Sequence, residues 1–196
     1  MRPSLAVLLV ACALGAPATT IAGTWRIDPA HTRIAFSVRH LMISNVRGQF
    51  TKVSGTIHAD DADLTRSRIE SSIDAASIDT REAKRDEHLR SPDFLDVARY
   101  PTLTFKSKRI EKAGDGRYKV VGDLTLHGVT REVTLDVDGP SAPVKDPRGM
   151  VHAGAQVTTK INRQDFGITW SKALDGGGVM VGDEIAITID AEGVRK

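Results

Sequence analysis

Asp28 and His31, three residues apart, pair a carboxylate with an imidazole, the combination that serves general acid–base catalysis. No nucleophile accompanies them in the sequence, and Pro29 between them marks a turn. A structural hydrogen bond is therefore the stronger reading. The six histidines (His31, His40, His58, His88, His127 and His152) are dispersed, without an HExxH motif or any paired-ligand spacing. The sequence thus specifies no metal site. Asp86, Glu87, Asp93 and Asp96 surround His88 and lie among Arg81, Arg85 and Arg90. Such a cluster is better suited to capping helices and pairing with those arginines than to binding calcium or hydrolysing a bond. No GxSxG elbow occurs, and Gly176-Gly177-Gly178 lacks the strand-before, helix-after setting of a phosphate loop. No catalytic residue is expected.

Three polar residues have a different potential use. Asn162-Arg163-Gln164-Asp165 follows a strand-like run and precedes Phe166 and Trp170. Beside an aromatic cluster, Arg163 could hold the polar head of a bound molecule through charge-assisted hydrogen bonds; Asn162 next to it, and His127 near one rim, are further candidates. The alternative is that Arg163 and Asp165 fix a turn, through each other or the backbone, and that His127-Gly128 is a hairpin turn.

The elements that must position these groups are strands. Ile34, Phe36 and Val38 alternate with polar neighbours, as do Leu103 and Phe105, Leu124 and Leu126, and Ile185, Ile187 and Ile189. Successive strand side chains point to opposite faces, so each run has one dry face and one wet face. Strands are expected at 24–28, 32–41, 46–59, 67–78, 101–111, 117–127, 130–138, 150–162 and 183–193. Many such strands in one domain point to a sandwich or a closed barrel, and a barrel can hold an apolar ligand. Phe36, Val38, Phe50, Leu103, Phe105, Leu124, Leu126, Phe166 and Trp170 are the candidate lining, and His40 runs in phase with Phe36 and Val38. The pattern alone favours a packed core, which a small barrel can build from its own side chains.

One stretch breaks the alternation. Asp79 or Thr80 is placed to cap a helix through Arg90, and Ser91-Pro92 to start a second short one. Leu89, Phe94, Leu95 and Val97 would anchor this segment, around 79–97, on the sheet. Three prolines between Pro140 and Gly149 mark an irregular connection.

The first 22 residues read as a cleaved export signal. Arg2 is followed by an apolar run over 5–14, too short for the roughly 20 residues that span a bilayer. Ala16-Pro17-Ala18 fits a cleavage site, and Thr20-Ile21-Ala22 is a second choice. Leu9-Val10-Ala11-Cys12 resembles a lipoprotein box, with Cys12 placed unusually early. The expected location is the periplasm. Residues 23–196 then form one cysteine-free domain, about 175 residues long, which is enough for a sizeable core without disulfides. Its charges, 27 basic and 25 acidic across the whole chain, are interspersed, which argues against a nucleic-acid partner.

Several motifs stand in order along the chain. They are Trp25-Arg26-Ile27-Asp28-Pro29-Ala30-His31-Thr32, continuing to His40; Val46-Arg47-Gly48-Gln49-Phe50; and Asp86-Glu87-His88-Leu89-Arg90-Ser91-Pro92-Asp93-Phe94-Leu95-Asp96. Tyr100-Pro101-Thr102-Leu103-Thr104-Phe105, the run 122–130 around His127-Gly128, Ile161-Asn162-Arg163-Gln164-Asp165-Phe166-Gly167 and Val181-Gly182-Asp183-Glu184-Ile185 complete the series. Together these motifs resemble the YceI-like family of periplasmic lipid- or polyisoprenoid-binding proteins; the one departure is Thr32, where the family usually has serine, and it keeps a hydroxyl.

The resemblance implies a mainly β fold, an extended eight-stranded antiparallel lipocalin-like barrel with a short helical segment and a long apolar pore. It implies a bound isoprenoid quinone, polyisoprenoid or fatty amphiphile, no catalytic cofactor, transient contact with a membrane surface and, often, a homodimer. It also turns the candidate lining from core into pocket, taken as a set. Burying several hundred Å² of hydrocarbon at about 25 cal/mol per Å² is worth on the order of 10 kcal/mol before ordering costs. Two rival readings stay open. An enzyme acting on such a lipid would gather histidines and acids at the pore mouth, and a structural or stress-response module would have a filled interior.

Overall fold

The computed structural model describes residues 22–175 and 177–195. The expected export signal, with Cys12 and both cleavage sites, lies outside the described residues except for Ala22, as does Gly176 of the triple-glycine run. Among the described residues, no helix is long and apolar enough to cross a membrane.

The alternating runs form one 12-stranded sheet. In chain order the strands are β1 (Ala22–Ile27), β2 (Arg33–His40), β3 (Ser44–Phe50), β4 (Val53–Asp60), β5 (Arg68–Asp74) and β6 (Ile78–Asp79). They continue as β7 (Thr102–Gly114), β8 (Arg117–Leu126), β9 (Val129–Asp138), β10 (Val144–Lys145), β11 (Val151–Asn162) and β12 (Val181–Arg195). Every pairing is antiparallel. Because β11 pairs with both β9 and β12, the sheet closes on itself as β12-β1-β4-β5-β7-β8-β9-β11, an eight-stranded barrel. Closure pairs each of these eight strands on both sides, and β10 and β6 remain as the two ends of the sheet.

Strand β12 is long enough to serve two neighbours on one side. Its C-terminal end pairs with β1 through Trp25↔Arg195 and Ile27↔Gly193. Its earlier part pairs with β2 through Ile187↔Phe36 and Ile189↔Ile34. Strands β2, β3 and β6 thus continue the wall beyond β1.

The expected strand 46–59 is two strands. Ser77 divides it, because its carbonyl accepts from Thr51 N at 3.2 Å and its hydroxyl accepts from Lys52 N at 3.2 Å. Before this point the chain pairs with β2, and after it with β1 and β5. The expected strand 67–78 is likewise interrupted. Asp74 Oδ1 accepts from Ala76 N at 2.9 Å and caps a 3-10 turn over Ala75–Ser77.

The polar stretch makes one helix, α1 (Ala83–Arg90), capped by Glu82 rather than by Asp79 or Thr80. Thr80 is held from the other direction: its amide and hydroxyl donate to the buried Asp86 carboxylate at 2.8 and 2.6 Å. The expected second helix at Pro92 is a series of turns. Leu95 N donates back to Leu89 O at 3.0 Å, Asp96 N donates to Ser91 O at 2.9 Å, and Asp96 itself is left-handed (φ 45). The anchors do face inward, with Phe94 and Leu95 buried and Leu89 and Val97 packed against them.

Candidate functional site: an apolar cavity inside the barrel

The interior is not filled. A cavity of about 650 Å³ runs through the barrel, within the roughly 300–1,000 Å³ typical of small-molecule pockets. Phe36, Val38, Phe50, Leu103, Phe105, Leu124 and Leu126 all line it. The Phe36 and Phe50 rings lie 5.9 Å apart at 47° on neighbouring strands. Sequence reasoning left out much of the remaining wall, notably Ile57 and Ile69 and the β12 series Ile185, Ile187 and Ile189.

Phe166 and Trp170 stand elsewhere. Phe166 is 1% exposed and packs in the core beside the cavity, not on its wall. Trp170 lies outside the sheet and meets Phe94 at a tilt (5.1 Å, 47°) and His88 edge to face (4.9 Å, 90°). His40, at the end of β2, is not on the wall either.

Of the proposed head-group trio only Arg163 borders the cavity, and the hydrogen bonds of all three are made within the fold. Arg163 is 3% exposed, and its guanidinium makes five hydrogen bonds. Nε donates to Gly182 O at 3.0 Å, and Nη1 to Ile168 O and Trp170 O at 2.7 and 2.9 Å. Nη2 donates to Val181 O at 3.3 Å and to Asp183 Oδ1 at 2.8 Å. A guanidinium has five N–H donors, so none is left for a ligand. Asn162 Oδ1 caps the 3-10 turn that follows it by accepting from Gln164 N at 2.9 Å. His127 and Gly128 are both left-handed (φ 52 and 73), the geometry of a tight two-residue hairpin, and His127 Nδ1 lies 3.1 Å from Phe166 O.

The two ends of the cavity differ. Leu89, Phe94 and Leu95, from α1 and the turns after it, line one end. The other end is bordered by Trp25, Asp61, Pro140, Pro143 and Arg195. There the lumen-facing residues of β11 and β12 are small: Ala155 pairs with Ala191, and Ala153 with Gly193. Short side chains on facing registers leave room that branched residues would fill. Arg195 Nη2 donates to Asp61 Oδ2 at 2.8 Å, and the guanidinium lies 5.8 Å from the centre of the Trp25 ring.

Beside this end, on the outer face, the fold gathers residues that are dispersed in sequence. His31 Nδ1 lies 2.9 Å from Asp28 Oδ2 and 3.8 Å from Glu192 Oε1. His152 Nδ1 lies 2.8 Å from the same Glu192 oxygen, and its Nε2 lies 3.5 Å from Asp146 Oδ2. Of this group Glu192 alone borders the cavity, between Ala191 and Gly193; Asp28, His31, Asp146 and His152 are not on its lining. Its hydrogen bond to Asp28 raises the pKa of His31, and its bond to Glu192 raises that of His152. The His31 bond lowers Asp28. At Asp146, burial pushes upward, but the Met150 and Arg148 amides and His152 together hold the carboxyl below its usual value.

The comparisons agree with this architecture. The YceI-like domain model matches residues 25–193. A UPF0312 protein of Vibrio cholerae is 37% identical over 170 residues, 86% of this chain and 89% of the relative. A Campylobacter jejuni YceI protein is 32% identical and superposes with a TM-score of 0.68, covering 80% of this chain and 89% of that one. A domain from Saccharophagus degradans, described as polyisoprenoid binding and implicated in plant cell wall breakdown, shares the fold at 16% identity. Its TM-score is 0.63, over 88% of this chain and 98% of that domain. Closed barrel, hollow apolar interior and ordered motifs converge on one assignment: the chain belongs to the YceI-like domain family.

Proposed function

We propose that this chain is a periplasmic carrier that holds the hydrocarbon tail of an isoprenoid quinone, polyisoprenoid or similar long-chain amphiphile inside its barrel. The observation that carries this reading is the 650 Å³ apolar cavity, walled by isoleucine, leucine, valine and phenylalanine side chains from across the sheet. Affinity comes from removing the tail from water, and that requires no catalytic group. The polar head is best accommodated at the wide end, where the charged residues Arg195, Asp61 and Glu192 border the lumen. Val144 and Met150, 64% and 43% exposed, lie on the connection that also carries Pro140 and Pro143. They offer an apolar foothold on a membrane during loading.

The rival enzymatic reading asks for histidines and acids at the mouth of the cavity. The group around His152 lies close by, yet only Glu192 of it borders the lumen, and among the described residues no serine or cysteine nucleophile is hydrogen-bonded to its histidines. Binding is the better account.

Fluorescence quenching by prenyl quinones of increasing chain length tests the proposal, because Trp25 borders the lumen whereas Trp170 does not. Saturable quenching that Trp25→Phe removes supports a tail in the barrel. Its absence for every chain length would overturn the reading.

A further inference from the structure

Two histidines and three carboxylates, supplied by separate parts of the chain, meet on the outer wall beside the wide end. Asp28 and His31 come from the β1–β2 turn, Asp146 from the connection after β10, His152 from β11 and Glu192 from β12. Ligand atoms of Asp28, His152 and Glu192 all lie within 4.8 Å of one another. We propose that this cluster is a binding site for a divalent first-row transition ion, with zinc the best-matched. The ligands are Nδ1 of His31, Nδ1 of His152, Oδ2 of Asp28 and a carboxylate oxygen of Glu192.

Three features carry the assignment. The first is spacing. Zinc holds nitrogen and oxygen ligands at about 2.0–2.2 Å in a tetrahedron, which sets them roughly 3.4 Å from one another. Asp28, His152 and Glu192 lie within 4.8 Å of one another, and His31 joins them at 2.9 Å from Asp28 and 3.8 Å from Glu192, so an ion in place of the shared protons draws the four together by side-chain rotation.

The second feature is the group behind His152. Its Nε2 is buried and has no hydrogen-bond partner among the described residues, and it faces Asp146 Oδ2 at 3.5 Å. Metal-bound histidines commonly direct their other ring N–H at a carboxylate, which fixes the tautomer and strengthens the ligand. Asp146 is preset for that part, because its Oδ1 accepts from the amides of Arg148 and Met150 at 2.9 and 2.8 Å. Asp28 is arranged similarly: Ala30 N donates to Oδ1 at 2.9 Å and leaves Oδ2 towards the site.

The third feature is selectivity and access. Calcium takes about six to eight oxygen ligands, whereas this site offers two imidazoles and few oxygens. The His31 side chain is 64% exposed and gives an ion a way in, while Asp28 and His152 are 18% and 21% exposed.

The test is calorimetric titration of tag-free, chelator-stripped protein with zinc, with cobalt as a spectroscopic substitute and calcium as a control. One zinc per chain and the visible absorption of four-coordinate cobalt are expected, with no heat from calcium. His31→Asn, which changes an exposed turn residue, and Glu192→Gln should each abolish or strongly weaken binding. Asp146→Asn should keep the stoichiometry and weaken zinc by about 10–100-fold. Absence of zinc binding, or binding unchanged in His31→Asn and Glu192→Gln, would overturn the site. An unchanged affinity in Asp146→Asn would overturn the role given to that carboxylate. None of these readouts depends on whether the barrel carries a lipid.

Discussion

Phe36 faces Gly48 across the β2–β3 ladder, and its ring occupies the space that a side chain at 48 would need. A Cβ at that position would come within 2.8 Å of Phe36 Cε1, closer than real contacts allow. Glycine at 48 therefore lets the ring lie back against the wall and keeps the lumen open. Gly48→Val should push the ring inward and cost about 1–3 kcal/mol of stability from overpacking. The loss of about two buried CH₂ contacts with a tail would weaken its binding by about tenfold. Chemical denaturation and ligand titration measure the two effects. Unchanged affinity would mean that the Phe36 ring does not border the bound chain.

Arg163 is expected to matter for stability and not for recognition. It ties the carbonyls of Ile168, Trp170, Val181 and Gly182 to Asp183, and so binds the loop after β11 to the start of β12. Arg163→Ala leaves a buried set of acceptors unpartnered and should cost about 3–5 kcal/mol, read from urea denaturation. A loss below about 1 kcal/mol, the level of an exposed ion pair, would contradict the structural role. Ligand identity should be unchanged in whatever fraction folds.

The lining tolerates size changes better than charge. Phe105 is 8% exposed and lines the cavity, so Phe105→Leu should keep a bound lipid while Phe105→Asp should lose it. Circular dichroism separates loss of ligand from loss of fold. A folded Phe105→Asp protein that still carries lipid at full stoichiometry would remove this position from the pore.

The outer cluster gives a signed dependence on pH in metal-free buffer. His31 and His152 titrate above their ordinary value of 6.5, so their contribution to stability is complete below that pH and fades as the pH rises through the raised values. Asp28 and Asp146 titrate below 3.8, so theirs is complete above that pH and fades as the pH falls through the lowered values. The cluster should therefore stabilise most between pH 3.8 and 6.5. The thermal-midpoint difference between wild type and His152→Asn should shrink as the pH rises beyond that window. A difference that grew with pH would contradict the assignment.

Much of the barrel is legible in the sequence, because period-two alternation is a local property and survives in almost every strand. Seven of the lining residues follow from it directly: they are the dry-face members of β2, β3, β7 and β8. Phe166 and Trp170 do not, because apolar character alone cannot separate a residue on the wall from one packed behind it. The division at Thr51 and Lys52 depends on Ser77, a partner from another part of the chain. The wide end is a matter of register, since Ala155 opens the lumen only because Ala191 stands opposite. The same holds for the histidines. His31 and His152 are unremarkable in sequence, and the β11–β12 ladder with the β1–β2 turn brings both to Glu192.

Native mass spectrometry of the purified protein, followed by organic extraction, tests the central claim most directly. A stoichiometric, non-covalent prenyl quinone, polyisoprenoid or other long-chain amphiphile is the expected result, with added quinone filling any empty fraction. A clean apo mass, and no uptake of added quinone, would contradict the account and leave the cavity without the occupant assigned to it.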